Sequence, residues 1–264
     1  MLLCQISDLH VMAGRRRAYG VVDTAACLER CVRRIAALDP MPDLVVATGD
    51  LVDDPTPAAY GLLRELLAAL PAPVYLLPGN HDERGALRAA FPDHRYLPQR
   101  GGFLQYAIDD FALRLLVLDT VNPGQAGGSL CAERLHWLEQ ALARSDAPTV
   151  IALHHPPFAT GIGFMDEIGL EDPSGLARIV RRFPQVQRLV CGHVHRPIQA
   201  LFGGTLASSC PSSAHQVNLD FRSGARAGFV MEPAALQLHL WAGETLVTHT
   251  ACIDRFDGPY PFHG

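Results

Sequence analysis

The sequence predicts an α/β fold with a C-terminal β extension, on three observations. Short apolar runs, too short for helices, recur through the first three-quarters of the chain. Longer segments with a period near 3.6 residues separate them. Beyond about residue 197 this alternation gives way to hairpin-like runs. Strand–helix alternation means an α/β sheet with crossover helices on its faces.

The strand runs are Leu2–Ile6, Leu44–Thr48 and Val74–Leu77, then 113–118, 150–153 and 188–191, all rich in Val, Ile and Leu. After the first run, segment 22–38 sets Ala25, Leu28, Val32 and Ile35 along one stripe, the pattern of a helix with one buried face. Segment 57–70 opens with Thr56 as N-cap and Pro57 at the first helical position, where a missing N–H costs nothing. Helical segments 135–142 and 175–183 follow, the second entered through Asp172-Pro173. In the C-terminal part, 236–240 alternates, turns at Ala242-Gly243-Glu244 and returns through 246–250 as a hairpin. Residues 254–264, rich in Pro, Gly and aromatics, read as a stretch laid over a surface. No repeat or charged linker divides the chain, so 1–264 reads as one domain whose part from about 197 to 264 is β-rich.

Composition narrows the function classes. A chain of 264 residues, 48% hydrophobic and 19% charged, suits a globular enzyme with a substantial core. The net charge of −5 argues against nucleic acid as the main partner; Arg15-Arg16-Arg17 and Arg181-Arg182 read as solvated faces. Seven scattered cysteines with no C-x-x-C pair suit reduced thiols, with Cys27 and Cys31 packing one helical turn apart. The N-terminus shows no basic segment leading into an apolar run, and no apolar run is long enough to span a bilayer. The expected location is cytoplasmic, away from a membrane.

Five strand runs end in polar residues. They lead into Asp8-x-His10, Gly49-Asp50, Gly79-Asn80-His81-Asp82, His154-His155-Pro156-Pro157 and Gly192-His193-Val194-His195. Ligands of open α/β sheets bind beyond the carboxyl ends of the strands, so these loops are expected to converge. Singly, each has a plain structural explanation: Gly-Asp is a common turn, and a lone histidine pair packs more often than it binds. Together they form a set of carboxylate, imidazole and amide donors with no thiolate, which suits Mn, Fe, Zn or Co. So many side chains exceed the needs of one ion and match two ions sharing a bridge. Two divalent ions, the charges of Asp8 and Asp50 and one hydroxide leave a net +1, the complement of a phosphodiester monoanion.

These motifs resemble the calcineurin-like metallophosphoesterase superfamily. With Phe164-Met165-Asp166 and Ala214-His215-Gln216-Val217, they look closest to its bacterial branch of class III cyclic-nucleotide phosphodiesterases and glycerophosphodiesterases. The resemblance implies two packed β-sheets flanked by helices. It implies one divalent ion held by Asp8, His10 and His195, a second by Asn80, His154 and His193, and Asp50 as bridge. A metal-bound hydroxide would then attack a small phosphodiester. His81 would touch the phosphate, stabilising its charge or protonating the leaving group. His215 would be a further catalytic, substrate-contacting histidine, Asn80 would also meet the substrate, and Tyr19 would be an outer neighbour. His155 is expected to pack or hydrogen-bond behind the site, and Asp82 to orient a ligand or, as the simpler explanation, to cap a helix beginning near Glu83. The branch also implies a homo-oligomer, with hairpin 236–250 as contact surface; an ordinary edge hairpin is the alternative.

Small phosphodiesters are therefore the expected substrates. A phosphomonoesterase or a nuclease with the same centre is the competing enzyme reading, and a non-catalytic scaffold the remote one. Segments 122–129 and 158–171 are expected to rim the pocket. No Gly-rich nucleotide fingerprint or Walker motif is present, which argues against an NTP-driven mechanism.

Overall fold

The computed structural model describes residues 1–263. Strand and helix first alternate: β1 (Leu2–Ile6), α1 (Thr24–Ala36), β2 (Leu44–Thr48), α2 (Pro57–Leu67), β3 (Val74–Leu77) and α3 (Arg84–Ala90). Next come β4 (Tyr106–Ile108), β5 (Arg114–Val117), α4 (Ala132–Ala143), β6 (Thr149–Ala152), α5 (Gly163–Asp166), α6 (Ser174–Arg182) and β7 (Val186–Cys191). The C-terminal strands are β8 (Gln199–Phe202), β9 (Thr205–Ser209), β10 (Gln216–Val217), β11 (Phe229–Val230), β12 (Ala235–Trp241) and β13 (Leu246–Cys252).

Two large sheets result, ordered β13-β12-β1-β2-β3 and β4-β5-β6-β7-β9-β8, with β10-β11 as a small third. The strands β1, β2 and β3 run parallel, as do β5, β6, β7 and β9. Side-chain alternation in the second sheet explains the layering. Leu115, Val117, Val150, Ala152 and Val190 join a core shared with the first sheet. Their neighbours Leu116, Leu118, Ile151, Leu153 and Leu189 pack with residues of α4 and α6. Both faces are buried, which is why these strands read as unbroken apolar runs.

The predicted helices form with shifted ends. Asp23 caps α1 through Ala26 N–H, so the helix starts at Thr24, and α4 begins three residues early, at Ala132. Thr56 does cap α2, accepting from Ala59 N–H. Elements of two to seven residues (α3, α5, β4, β8, β9, β10 and β11) were too short or too polar to show a period.

The extension after residue 197 is shared between the sheets. β8 and β9 complete the second, while β12 pairs antiparallel with β1, from Leu2↔Leu240 to Gln5↔Gln237. The alternation in β12 is real, but its polar face is the inner one: Gln237 and His239 are each 1% exposed and Leu240 is 41% exposed. His239 Nδ1 lies 2.7 Å from Thr248 Oγ1, and Nε2 lies 3.1 Å from Gln5 Oε1. Gln5 Nε2 donates onward to Thr48 Oγ1 and to Cys191 O, both at 3.0 Å, tying the two sheets through their interior.

Residues 254–263 are exposed, including Phe256, Tyr260 and Phe262, and Asp254 pairs with Arg30 of α1. Among the described residues, no helix is long and apolar enough to cross a membrane.

Candidate metal centre

The polar residues that follow β1, β2, β3, β6 and β7 meet at one end of the sandwich. The first two loops prolong the parallel ladder beyond the strands: Asp8 N–H donates to Gly49 O, His10 N–H to Asp50 O and Val11 N–H to Leu51 O. Asp8, His10, Asp50, His193 and His195 all adopt left-handed backbone, with φ between 44° and 71°. Side chains other than glycine rarely accept that conformation, and it persists where surrounding bonds over-determine it, commonly at functional sites. Two glycines let the loops close. A Cβ on Gly49 would lie 2.4 Å from His154 Nδ1, and one on Gly79 would lie 2.2 Å from both Asp50 N and Oδ1.

Hydrogen bonds assign the imidazole protons. His10 Nδ1 faces Asp53 Oδ1 at 3.1 Å, His154 Nδ1 faces Thr48 O at 2.8 Å, and His195 Nδ1 faces His215 O at 3.0 Å. An ionised carboxylate or a carbonyl can only accept, so each Nδ1 carries a proton and each Nε2 is the nitrogen left for an ion. Those nitrogens converge. His10 Nε2 and His195 Nε2 are 3.2 Å apart, and His195 Nε2 is 3.5 Å from Asp8 Oδ1. Asp50 Oδ2 lies 3.6 Å from His10 Nε2 and 3.4 Å from His154 Nε2, between the two groups. His154 Nε2 is 3.1 Å from Asn80 Oδ1, and the His193 ring is 5.1 Å from that of His154. Buried His193 Nε2 has no hydrogen-bond partner. Two donors about 2.1 Å from one ion stand roughly 3.0–3.4 Å apart, so these separations suit shared cations.

The electrostatics agree. Burial opposes a charge on His154, yet Asp50 and Asp8 prevail and push its pKa up to about 9. Burial also opposes a charge on Asp50, but the imidazoles of His154, His10 and His81 hold it well below the usual carboxylate range. Burial drives His193 well down and lowers His195 to about 4. Burial opposes a charge on His10 too, yet Asp53, Asp50 and Asp8 raise its pKa; the buried carboxylates thus draw positive charge into the site, and divalent ions fit both donor set and spacing.

The carboxylates are themselves oriented. Asp8 accepts from His193 N–H, and Asp50 Oδ1 accepts from His81 N–H at 2.9 Å. His81 Nδ1 meets Asp53 O at 2.9 Å. The ring of His215 is 4.7 Å from that of His195 and 5.4 Å from that of Tyr19, and its buried Nδ1 has no partner. His155 differs from its neighbour, since Nδ1 meets Thr120 Oγ1 at 2.8 Å and Nε2 meets Ala126 O at 3.0 Å. It has no lone pair to offer an ion.

Asp82 does not cap α3; Glu83 does, accepting from Gly85 and Ala86 N–H. Asp82 instead accepts from Leu51 N–H, Gly79 N–H and the Tyr60 hydroxyl, locking two ligand loops together, and burial raises its pKa to about 6. Asp53 and Tyr60 escaped sequence reasoning because neither lies in a glycine-bounded motif.

Above the cluster opens a cavity of about 450 Å³ lined by Phe164, Met165, Ile168, Val217 and Phe229 together with the histidines. Segment 158–171 thus contributes to the rim, but 122–129 does not. Gly128 pairs with the chain at 169–171 and Ala126 holds His155, so that loop supports the site from behind. The opposite wall comes from 227–229. A larger cavity of about 610 Å³ lies beside β3 among Tyr75, Phe91 and Tyr96, away from every converging donor.

Known proteins are similar to this chain in sequence and in fold. Residues 1–197 match the family model described as calcineurin-like phosphoesterase. A protein of Arcobacter nitrofigilis named "Probable glycerophosphodiester phosphodiesterase" is 40% identical, over 100% of this chain and 97% of its own length. The 3′,5′-cyclic adenosine monophosphate phosphodiesterase of Escherichia coli K12 is 33% identical, over 81% of this chain and 76% of its own. A dimetal phosphatase from Danio rerio shares the fold at a TM-score of 0.70 and 15% identity, covering 96% of each chain. With the donor clusters described above, these similarities show that the chain belongs to the calcineurin-like phosphoesterase family and is a metal-dependent phosphodiesterase.

Proposed function

We propose that the chain hydrolyses small phosphodiesters, a 3′,5′-cyclic nucleotide or a glycerophosphodiester, at a centre of two divalent ions. Asp8, His10 and His195 would hold one ion, Asn80, His154 and His193 the other, with Asp50 placed between the two groups. The observation that carries this reading is the 3.2 Å approach of His10 Nε2 to His195 Nε2, with both Nδ1 protons committed elsewhere. The nitrogen and oxygen donor set favours Mn, Fe, Zn or Co. When bound, such a pair supplies a water-derived nucleophile at neutral pH and offsets charge on the reacting phosphate.

The rest falls to the protein. The Asn80 amide, with Oδ1 turned toward His154, keeps its N–H groups for a phosphate oxygen. His81, anchored through Nδ1, keeps Nε2 for the cavity it lines, where as an imidazolium it stabilises the phosphate or delivers its Nε2 proton to the departing alkoxide. One P–O bond forms to the oxygen of water, one breaks to the leaving oxygen, and a monoester and an alcohol result. His215, with its unpartnered Nδ1, stands over the same space. No arginine lines the cavity and the chain contains no lysine, so a monoester dianion would meet no cationic side chain beyond the histidines. A diester monoanion suits these walls better.

The test is turnover of Mn-reconstituted protein on a diester and its matching monoester, followed by a panel of cyclic nucleotides and glycerophosphodiesters. Preference for the monoester would replace this reading with a phosphatase.

Strand β13 forms the outer edge of its sheet beside exposed Leu240 and Val247, and is the surface we assign to contact between copies. The seven cysteines are free thiols, in keeping with a reducing, cytoplasmic setting.

A further inference from the structure

We propose that Asp166 is a positioning residue for substrate specificity: its carboxylate clamps the turn at Thr160-Gly161 and so sets the apolar wall of the cavity. In Phe164-Met165-Asp166, the first two side chains line the cavity above the donor cluster. Asp166 does not. It is exposed on the far side of the segment, beside a separate cavity of about 290 Å³ with Pro156, Pro157 and Phe158. It therefore acts on a substrate only through the chain that carries its neighbours.

Three donors converge on this one side chain. Oδ1 accepts from Thr160 N–H and from the Thr160 hydroxyl, both at 2.7 Å, and Oδ2 accepts from Gly161 N–H at 3.0 Å. Thr160 Oγ1 accepts in turn from Ile162 N–H at 3.1 Å. An ionised acceptor strengthens each bond, so a loop this short keeps little freedom. The clamped turn is where the two walls of the cavity meet. Gly161 has left-handed backbone, with φ 81°, and a Cβ there would lie 3.4 Å from the Phe221 ring. The turn thus seats against the loop 218–228, which leads to the opposite wall at 227–229. The next residue, Ile162, is buried with Met165, Val194 and Val217. Val194 stands between His193 and His195, so the wall rests on a ligand loop. The downstream end of the segment is held independently, by Gly128 N–H to Gly169 O and by Glu171 N–H to Gly128 O. Only the upstream end depends on Asp166. A wall of Phe164, Met165 and Ile168 rewards apolar or aromatic ester groups, so its displacement weakens their binding and leaves the chemical step alone.

The inference rests on the reading of the site as a diesterase, and the experiment keeps the two apart. Mn-reconstituted wild type, Asp166→Ala, Asp166→Asn and Phe164→Ala are assayed on bis(p-nitrophenyl) phosphate. Inorganic phosphate serves as competitive inhibitor, bound Mn is counted, and amide hydrogen exchange is followed on the same proteins. Asp166→Ala is expected to raise KM about tenfold with kcat within about twofold, the signature of lost uniform binding. The inhibition constant of phosphate, which needs only the metal centre, and the Mn count should stay at wild-type values. Asp166→Asn keeps an oxygen for Thr160 and is expected to recover most of the affinity. In an Asp166→Ala background, Phe164→Ala should add little, because the ring it removes is already displaced. Exchange protection should fall at Thr160, Gly161 and Ile162 and hold at 169–171. Should Asp166→Ala fail to fold, Thr160→Val, which removes the hydroxyl from the same clamp, is expected to raise KM in the same direction. An unchanged KM, fully additive losses in the double variant, or a phosphate constant that moves with KM would overturn the proposal. Failure of wild type to turn over the diester would instead overturn the diesterase reading, while the exchange pattern would still decide whether Asp166 holds the wall.

Discussion

Seven histidines are buried, and two regions use them in opposite ways. Between the sheets, His239 has a partner on each nitrogen, Thr248 on one side and Gln5 on the other. At the carboxyl ends of the strands, His10, His154 and His195 each have one nitrogen tied to an acceptor and the other aimed at a further acceptor. A buried polar group costs little when its hydrogen bonds are complete and costs much when they are not. His239 is thus a joint in the scaffold, and the other three belong to a site whose carboxylates draw positive charge to it. His155 makes the contrast sharpest. It adjoins His154 in sequence and its ring stands 4.8 Å away, yet both of its nitrogens are satisfied.

The largest expected effect comes from removing the bridge. On the proposed binuclear centre, Asp50→Ala would leave two cations facing each other without a shared carboxylate, so both sites should lose metal and turnover should fall to background. Two ions per chain at near-normal turnover would dissolve the distinction between the regions. The histidine pair sharpens it further. His154→Ala should empty one metal position, whereas His155→Ala should keep both ions and show its cost in thermal stability. Metal counting beside a melting curve separates them, and equal metal loss would contradict the proton assignments.

His81→Ala should keep both ions while turnover falls about 10²–10⁴-fold, the usual scale for a lost proton-transfer group. A drop in metal content instead would make His81 a ligand. The smallest effect belongs to the scaffold. Burial, aided by Arg188, lowers the pKa of His239 to about 3, against about 6.5 for an unfolded histidine. The unfolded chain then binds the extra proton between those values, so this histidine's contribution is intact above pH 6.5 and drains away as pH falls toward 3. At about 1.4 kcal/mol per unit, pH 4 costs roughly 3 kcal/mol. His239→Leu should flatten that slope, while losing about 1–3 kcal/mol at neutral pH because Gln5 Oε1 is stranded. Denaturant midpoints from pH 7 to pH 4 test it; parallel slopes would refute the neutral, fully bonded state.

Much of the site could be read from the chain because its loops are locally encoded. Gly49-Asp50 and Gly79-Asn80-His81-Asp82 follow apolar runs directly, and a glycine beside a ligand answers to a crowded turn within a few residues. The central strands of both sheets were legible for the same reason: burial on both faces writes a continuous apolar run. Local spacing, however, is silent on partners brought from afar. Asp53 takes its meaning from His10, 43 residues earlier, and the buried polar face of β12 from β1, more than 230 residues away.

The sequence by itself determined which side chains follow which strands, and hence the donor chemistry of the centre. Only the tertiary structure decided which histidine nitrogens remain unpaired, since that depends on acceptors delivered by other loops. It also decided which walls face the substrate, replacing segment 122–129 by 227–229. Hydrophobic period and glycine placement act over a few residues, whereas a lone pair becomes a ligand through contacts that close only when two sheets have packed together.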